Sequence, residues 1–402
     1  MAAWPRQPIR MPSFTSTDRR PERETAIDAR RAAGLPRPLT ARQLARRKPM
    51  PPAAPPPQRV LTRHSAFRLP PDAGTARLRR HGDRFVVEIT QTGRGRGPSI
   101  PYERISVERP ALGRMKRDLV ERWSAGFRPP HLAVEFVPSR VPLKLRERAR
   151  PPFDFDPVRE GRSRPLCVTD PDGRWLYDPL TFPWRTVGRV ETPVGISSGC
   201  TIGPRHLLTS AHGIQWLEGG AGWLRFDPAH DRRPGPYGTA FGTRVIFWLR
   251  NVPARGISLH EQAFDYVVCV LDWRIGDVVG YPGFITYANR WNGGEFWQTM
   301  GYPNDLSGAE APAFQNKTSI LHDHPETSKG QTGLRLDHLM DVTPGHSGGA
   351  VWGWFDQEPW PRVVAVQSAE ANCPITSDTQ FNCAGGGPAL SALIAYARSA
   401  YP

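Results

Sequence analysis

Ser347, in Gly345-His346-Ser347-Gly348-Gly349, has no histidine anywhere among the residues that follow it. That absence restricts what the chain can be. A Gly-x-Ser-x-Gly string serves as the nucleophile elbow of an α/β-hydrolase, where serine is followed in sequence by a carboxylate and then a histidine. It also serves as a loop whose glycine and serine N–H groups hold an oxyanion, or simply as a Ser/Gly turn. A serine hydroxyl is a weak nucleophile unless a base takes its proton. The eleven histidines end at His346, so the elbow order is excluded. Any base must lie upstream.

The upstream candidate is His212, in His206-Leu-Leu-Thr-Ser-Ala-His-Gly213. The leucines read as the end of a buried strand, and the small residues after them allow a tight turn that presents an imidazole. The carboxylate candidate is Asp265, at the head of Phe264-Asp-Tyr-Val-Val-Cys-Val-Leu271. This β-branched, apolar run is a buried strand. An aspartate at its mouth is costly unless paired. Asp272 and Asp277 lie beyond the strand in a polar stretch and read as solvated.

The order His212, Asp265, Ser347 matches the chymotrypsin order. Ser198-Gly-Cys-Thr-Ile-Gly-Pro-Arg-His-Leu-Leu-Thr-Ser-Ala-His212 resembles the strand-turn-histidine segment of bacterial trypsin-like proteases, and more narrowly of the glutamyl endopeptidase branch. Asp178-Pro-Leu-Thr-Phe-Pro-Trp-Arg-Thr-Val-Gly-Arg189 is similar to that branch's entry to its first barrel. Gly301-Tyr-Pro303 and Leu336-Asp-His-Leu-Met-Asp-Val-Thr-Pro-Gly-His-Ser-Gly-Gly349 are similar to its second barrel. The resemblance implies an all-β fold: a chymotrypsin-like double antiparallel β-barrel, each barrel six-stranded, with a C-terminal helix. Pro388–Arg398 supplies that helix, with Leu390, Leu393, Ile394 and Ala397 on one face.

The resemblance also implies an acyl-transfer cycle: Ser347 as nucleophile, His212 as base, Asp265 orienting it, and the N–H groups of Gly345 and Ser347 as the oxyanion hole. His346 occupies the place where trypsin captures a new N-terminus with an aspartate, so trypsin-type activation is not expected. The candidate substrate-binding residues are Asp341 and Val342 before the serine, and Gln367 or Ser368 on the strand after it. Acidic, apolar and basic specificities all stay open. No cofactor or metal site is expected, and the body reads as a monomer acting on protein or peptide substrates.

Charge divides the chain. Residues 1–150 carry 33 Lys/Arg against 13 Asp/Glu, and the remainder carries 20 against 25. Residues 1–64 read as a disordered Arg/Pro-rich arm. Residues 65–160 read as a small basic α/β module or propeptide, with strands at 85–90 and 131–137 and a helix over 112–123. Residues 161–402 read as the protease domain. A basic arm also fits a different role, a non-proteolytic trypsin-fold protein that binds nucleic acid or an anionic surface through residues 1–150. The resemblance implies export, although no 7–15-residue apolar run marks a signal peptide, and no membrane span is seen. Of five cysteines, Cys373 and Cys383 are the expected disulfide, and Cys167, Cys200 and Cys269 are left without an assigned partner.

Overall fold

The computed structural model describes residues 49–50, 75–81, 84–90, 100–111, 117–130, 132, 172–177, 179–232, 237–251, 257–355, 358–368 and 381–402. The Arg/Pro-rich arm and the strand expected at 131–137 lie almost entirely outside these residues. The strand expected at 85–90 is found as Arg84–Thr90, paired in a hairpin with Thr75–His81.

The first sheet is built from β1 (Arg104–Glu108), β2 (Val187–Thr192), β3 (Gly195–Gly203), β4 (His206–Thr209), β5 (Arg225–Pro228), β6 (Ala240–Phe247) and β7 (Val267–Leu271). Strands β2 to β7 run in the order β5-β2-β3-β4-β7-β6, and pairing of Arg225 with Phe241 and of Phe226 with Ala240 closes the ring. All five residues of β7 are buried. A strand of continuous apolar residues has no solvent face, and closure into a barrel satisfies both of its sides. Val190, Leu207, Val245, Val267, Cys269 and Leu271 fill the interior.

The second sheet is built from β8 (Trp297–Gly301), β9 (Ala313–Thr318), β10 (Ile320–Ser328), β11 (Gln331–His338), β12 (Ala350–Phe355), β13 (Arg362–Gln367) and β14 (Asn382–Gly386). Its order is β10-β11-β14-β13-β12-β8-β9. Only Ser319 separates β9 from β10, yet β10 stands at one end of the ladder and β9 next to the other, where Trp175–Leu176 pair with it. Two nearly continuous strands placed so far apart require the sheet to curl back on itself, which gives the second, barrel-like sheet. The C-terminal helix is Pro388–Ala400, with Pro388 in its first turn and the expected face buried.

Residues 100–111 and 117–130 are woven into this body. Strand β1 runs parallel to β6 and antiparallel to Gly220–Gly222, and Ile105 enters the first core. The helix expected over 112–123 is described as Arg117–Trp123, and its Leu119, Val120 and Trp123 pack on the core beneath the C-terminal helix. From that helix the buried Arg398 donates to the carbonyls of Trp123, Ala125, Ile202 and Pro282. A chain shortened to begin at residue 130 should melt about 10 °C lower or more by calorimetry. It loses the burial of four apolar side chains, about 5 kcal/mol, and exposes a barrel edge. An unchanged melting temperature would exclude a structural part for this segment.

Among the described residues no helix is long and apolar enough to cross a membrane, and no cluster of His, Cys, Asp and Glu could hold a metal ion. The expected Cys373–Cys383 bridge is not found. Cys383 is a free, buried thiol; Cys373 lies outside the described residues. Asn382–Gly386 forms a strand between β11 and β13, and this carries the Cys383 sulfur to Asp337, 3.5 Å away. Burial, reinforced by that carboxylate, pushes the thiol up to about 12. Cys200 and Cys269 are also free and buried in the cores.

Candidate active site

His212 and Asp265 both leave the first barrel at its rim. From Thr209 at the end of β4, Ser210 and Ala211 turn inside the protein, and the turn delivers His212 to the mouth of β7. Asp265, one residue before Tyr266 and two before β7, is fully buried. Its Oδ2 lies 2.6 Å from His212 Nδ1, and its Oδ1 accepts the His212 backbone N–H at 2.9 Å. One carboxylate thus fixes both the ring and the main chain of the same residue.

Two further donors complete Asp265. Asn251 Nδ2 donates to Oδ1 at 2.9 Å, and Ser368 Oγ donates to Oδ2 at 2.6 Å. Burial by itself would raise the carboxyl pKa; the His212, Ser368 and Asn251 contacts outweigh it and hold Asp265 below the ordinary carboxylate range. Burial works against a charged His212, and Asp265 outweighs that too, so the imidazole titrates above its ordinary value. The side chain keeps 15 % exposure, which leaves one edge of the ring accessible.

Ser347 belongs to the second barrel, in the loop between β11 and β12. The loop is held by the first barrel: Ser198 of β3 donates its N–H to the Ser347 carbonyl at 2.8 Å and its hydroxyl to the Gly345 carbonyl at 2.7 Å. On the other side the Gly348 N–H donates to Gln367 and the Gln367 N–H donates to Gly349, each at 2.8 Å. Gly345 and Gly348 have φ of 95° and 83°. A Cβ on Gly345 would lie 2.3 Å from the Tyr302 carbonyl, and one on Gly348 would lie 2.2 Å from that of Ser198. Backbone torsion and space both require glycine at these two positions. With its carbonyls engaged, the loop leaves the Gly345 and Ser347 N–H groups without an acceptor among the described residues. No hydrogen bond joins the Ser347 hydroxyl to His212 there; such contacts are commonly long in hydrolases without substrate.

The four specificity candidates are distributed as follows. Asp341 is fully buried; its Oδ2 accepts from the Gly173 N–H at 2.9 Å and from Gln315 at 2.7 Å. Val342 is buried. Gln367 donates to Thr299 Oγ1 at 3.0 Å and to Met340 Sδ at 3.3 Å. Ser368 is spent on Asp265. Asn251, and Arg174 described below, carry no motif that marks them in the sequence, and Ser198 lies in the strand-turn-histidine segment without a role marked there.

No family model matches the chain. Over 211 residues it is 28 % identical to the glutamyl endopeptidase of Bacillus licheniformis, a match spanning 52 % of this chain and 61 % of that protein. The chain therefore matches less than two thirds of its curated relative. Among solved structures, a Glu endopeptidase in complex with MPD superposes with a TM-score of 0.45 at 20 % identity, covering 58 % of this chain and 99 % of that one. The protease Anisep from Arthrobacter nicotinovorans gives 0.39 at 17 % identity, covering 56 % and 99 %. In sequence the chain resembles glutamyl endopeptidase, a serine protease.

Proposed function

We propose that the chain is a serine endopeptidase that cleaves peptide bonds through an acyl-enzyme. The observation that carries this reading is the Asp265–His212 pair: a buried carboxylate with four donors, holding an imidazole by Nδ1 and leaving Nε2 as the only ring nitrogen free to act. In the cycle, Ser347 Oγ attacks the peptide carbonyl while His212 Nε2 takes its proton. The Gly345 and Ser347 N–H groups donate to the oxyanion of the tetrahedral intermediate. Collapse expels the amine, which takes the proton from His212, and water then repeats the sequence on the ester. Asp265 stays ionised throughout and stabilises the imidazolium.

The test is direct. A phosphonofluoridate should label Ser347 in the folded protein, and Ser347→Ala should lower peptide hydrolysis by about 10⁶-fold. Hydrolysis that survives the substitution, or a serine that resists labelling, would dismiss the proposal.

A further inference from the structure

Arg174 precedes the first barrel in sequence but docks on the second. Next to it, Trp175–Leu176 pair with β9, Leu176 against Ala313 and Trp175 against Phe314. The Arg174 side chain is fully buried. Its guanidinium grips Asp172 through Nε at 3.0 Å and Nη2 at 2.9 Å, and Asp305 through Nη2 at 2.6 Å and Nη1 at 3.3 Å. Burial disfavours this charge, and hydrogen bonds to Asp172 and Asp305 more than offset it, so the group stays cationic.

The same group reaches the nucleophile loop. Arg174 Nη1 donates to Thr343 Oγ1 at 2.9 Å, and the Thr343 hydroxyl donates to Asp305 at 2.6 Å. The Gly173 N–H holds Asp341, as described above. The Thr343 carbonyl then accepts the His346 N–H at 2.9 Å, one residue from the serine. The His346 ring cannot serve as the anchor. It is fully buried with no hydrogen-bond partner on either nitrogen among the described residues, and burial together with the Arg174 charge lowers its pKa to about 3. The loop therefore has a neutral residue beside its serine and a cation bound a few residues upstream.

We infer that Arg174, clasped by Asp172 and Asp305, is a positioning residue that sets the nucleophile loop through Thr343, so that the loop is ordered in the uncut chain without capture of a newly made N-terminus. The inference deepens the peptidase reading and rests on it for its catalytic consequence. The loop geometry itself can be tested independently.

The experiment compares the full chain with Arg174→Ala, Arg174→Lys and Asp305→Asn. Hydrogen exchange is read over residues 340–349, kcat and KM are read on a peptide substrate, and methylguanidinium is tested for rescue. Arg174→Ala should unfold cooperatively but lose protection in the loop. Its kcat should fall about 10²-fold with KM changed by less than about threefold, and millimolar methylguanidinium should restore part of the loss, which a merely structural role would not allow. Arg174→Lys should recover less than half, because an ammonium lacks the planar fork. A folded Arg174→Ala protein with native loop protection and native kcat would overturn the inference, as would protection lost evenly over the whole chain. Should Arg174→Ala not fold, Asp305→Asn decides by the same loop-confined loss or its absence. Exchange needs no activity, so a wild-type chain inactive on peptides would count against the proposed function and leave the loop result standing.

Discussion

Asp265→Asn should lower kcat/KM by about 10⁴-fold while leaving the fold intact. The residue accepts four hydrogen bonds, from the His212 N–H, His212 Nδ1, Asn251 and Ser368. An amide has one accepting oxygen. Its NH2 group must face either the Ser368 hydroxyl and His212 ring or the His212 and Asn251 N–H groups. The second orientation sets a donor against two donors, so the amide takes the first, and the ring then faces an N–H and loses the acceptor that fixes its tautomer. The pH profile carries a second signature. The proposed cycle needs neutral His212, and Asp265 raises that imidazole above the ordinary value of about 6.5. In the wild type kcat/KM should therefore climb through a pH above that value, and in Asp265→Asn the limb should move to lower pH. The linked stabilities have opposite signs. The contribution from His212, whose pKa is raised, is complete at low pH and is lost as pH rises through its folded value. The contribution from Asp265, whose pKa is lowered, is present above the ordinary carboxylate range and is lost as pH falls through its folded value. A steady-state profile from pH 4 to 10 on both proteins checks the limb; one that does not move would separate Asp265 from His212 titration.

Glu358→Gln should cost about 3 kcal/mol, or about 10 °C in melting temperature. Arg362 is fully buried and paired bidentately with Glu358, Nε to Oε2 and Nη2 to Oε1, both at 2.6 Å. Its Nη1 also donates to the carbonyls of Ser124 and Phe284 at 2.7 and 2.9 Å. The guanidinium therefore joins the segment before the first barrel to the second sheet. Losing the carboxylate leaves a desolvated cation facing a neutral amide. Replacing both partners, Glu358→Gln with Arg362→Met, should recover part of the loss, since the buried charge is then gone. A calorimetric comparison of the wild type and two variants checks this; a single substitution that melts like the wild type would remove the argument.

The parts of this molecule legible in its sequence are those where one short stretch carries the whole signal. The run Val267–Leu271 is buried on both faces and reads as such from composition. The turn to His212 and the glycines around Ser347 are marked by residue types that only those backbones require. The C-terminal helix shows its buried face at helical spacing. What escaped was cooperation over long separations. Asn251 and Ser368 reach Asp265 from 14 and 103 residues away, and Ser198 reaches Gly345 from 147; no local pattern distinguishes these polar residues from solvated ones. Ser368, a candidate pocket residue, also donates to Asp265. The Cys373–Cys383 pairing rested on spacing within a loop, whereas Cys383 belongs to a central strand. Arg104–Glu108 alternates polar and apolar residues as a half-buried strand should, but its two partner strands begin more than 110 residues later.

Each barrel supplies a serine to the other's half of the site: Ser198 of the first holds the nucleophile loop, and Ser368 of the second holds Asp265. The two hydroxyls act as a reciprocal gauge of how the barrels are seated. A rigid-body slip of about 1 Å stretches both contacts at once and is enough to cost about two orders of magnitude in rate. In the proposed peptidase turnover is thus a property of the seam between two bodies, and substitutions deep in that seam silence it while His212, Asp265 and Ser347 keep their own rotamers.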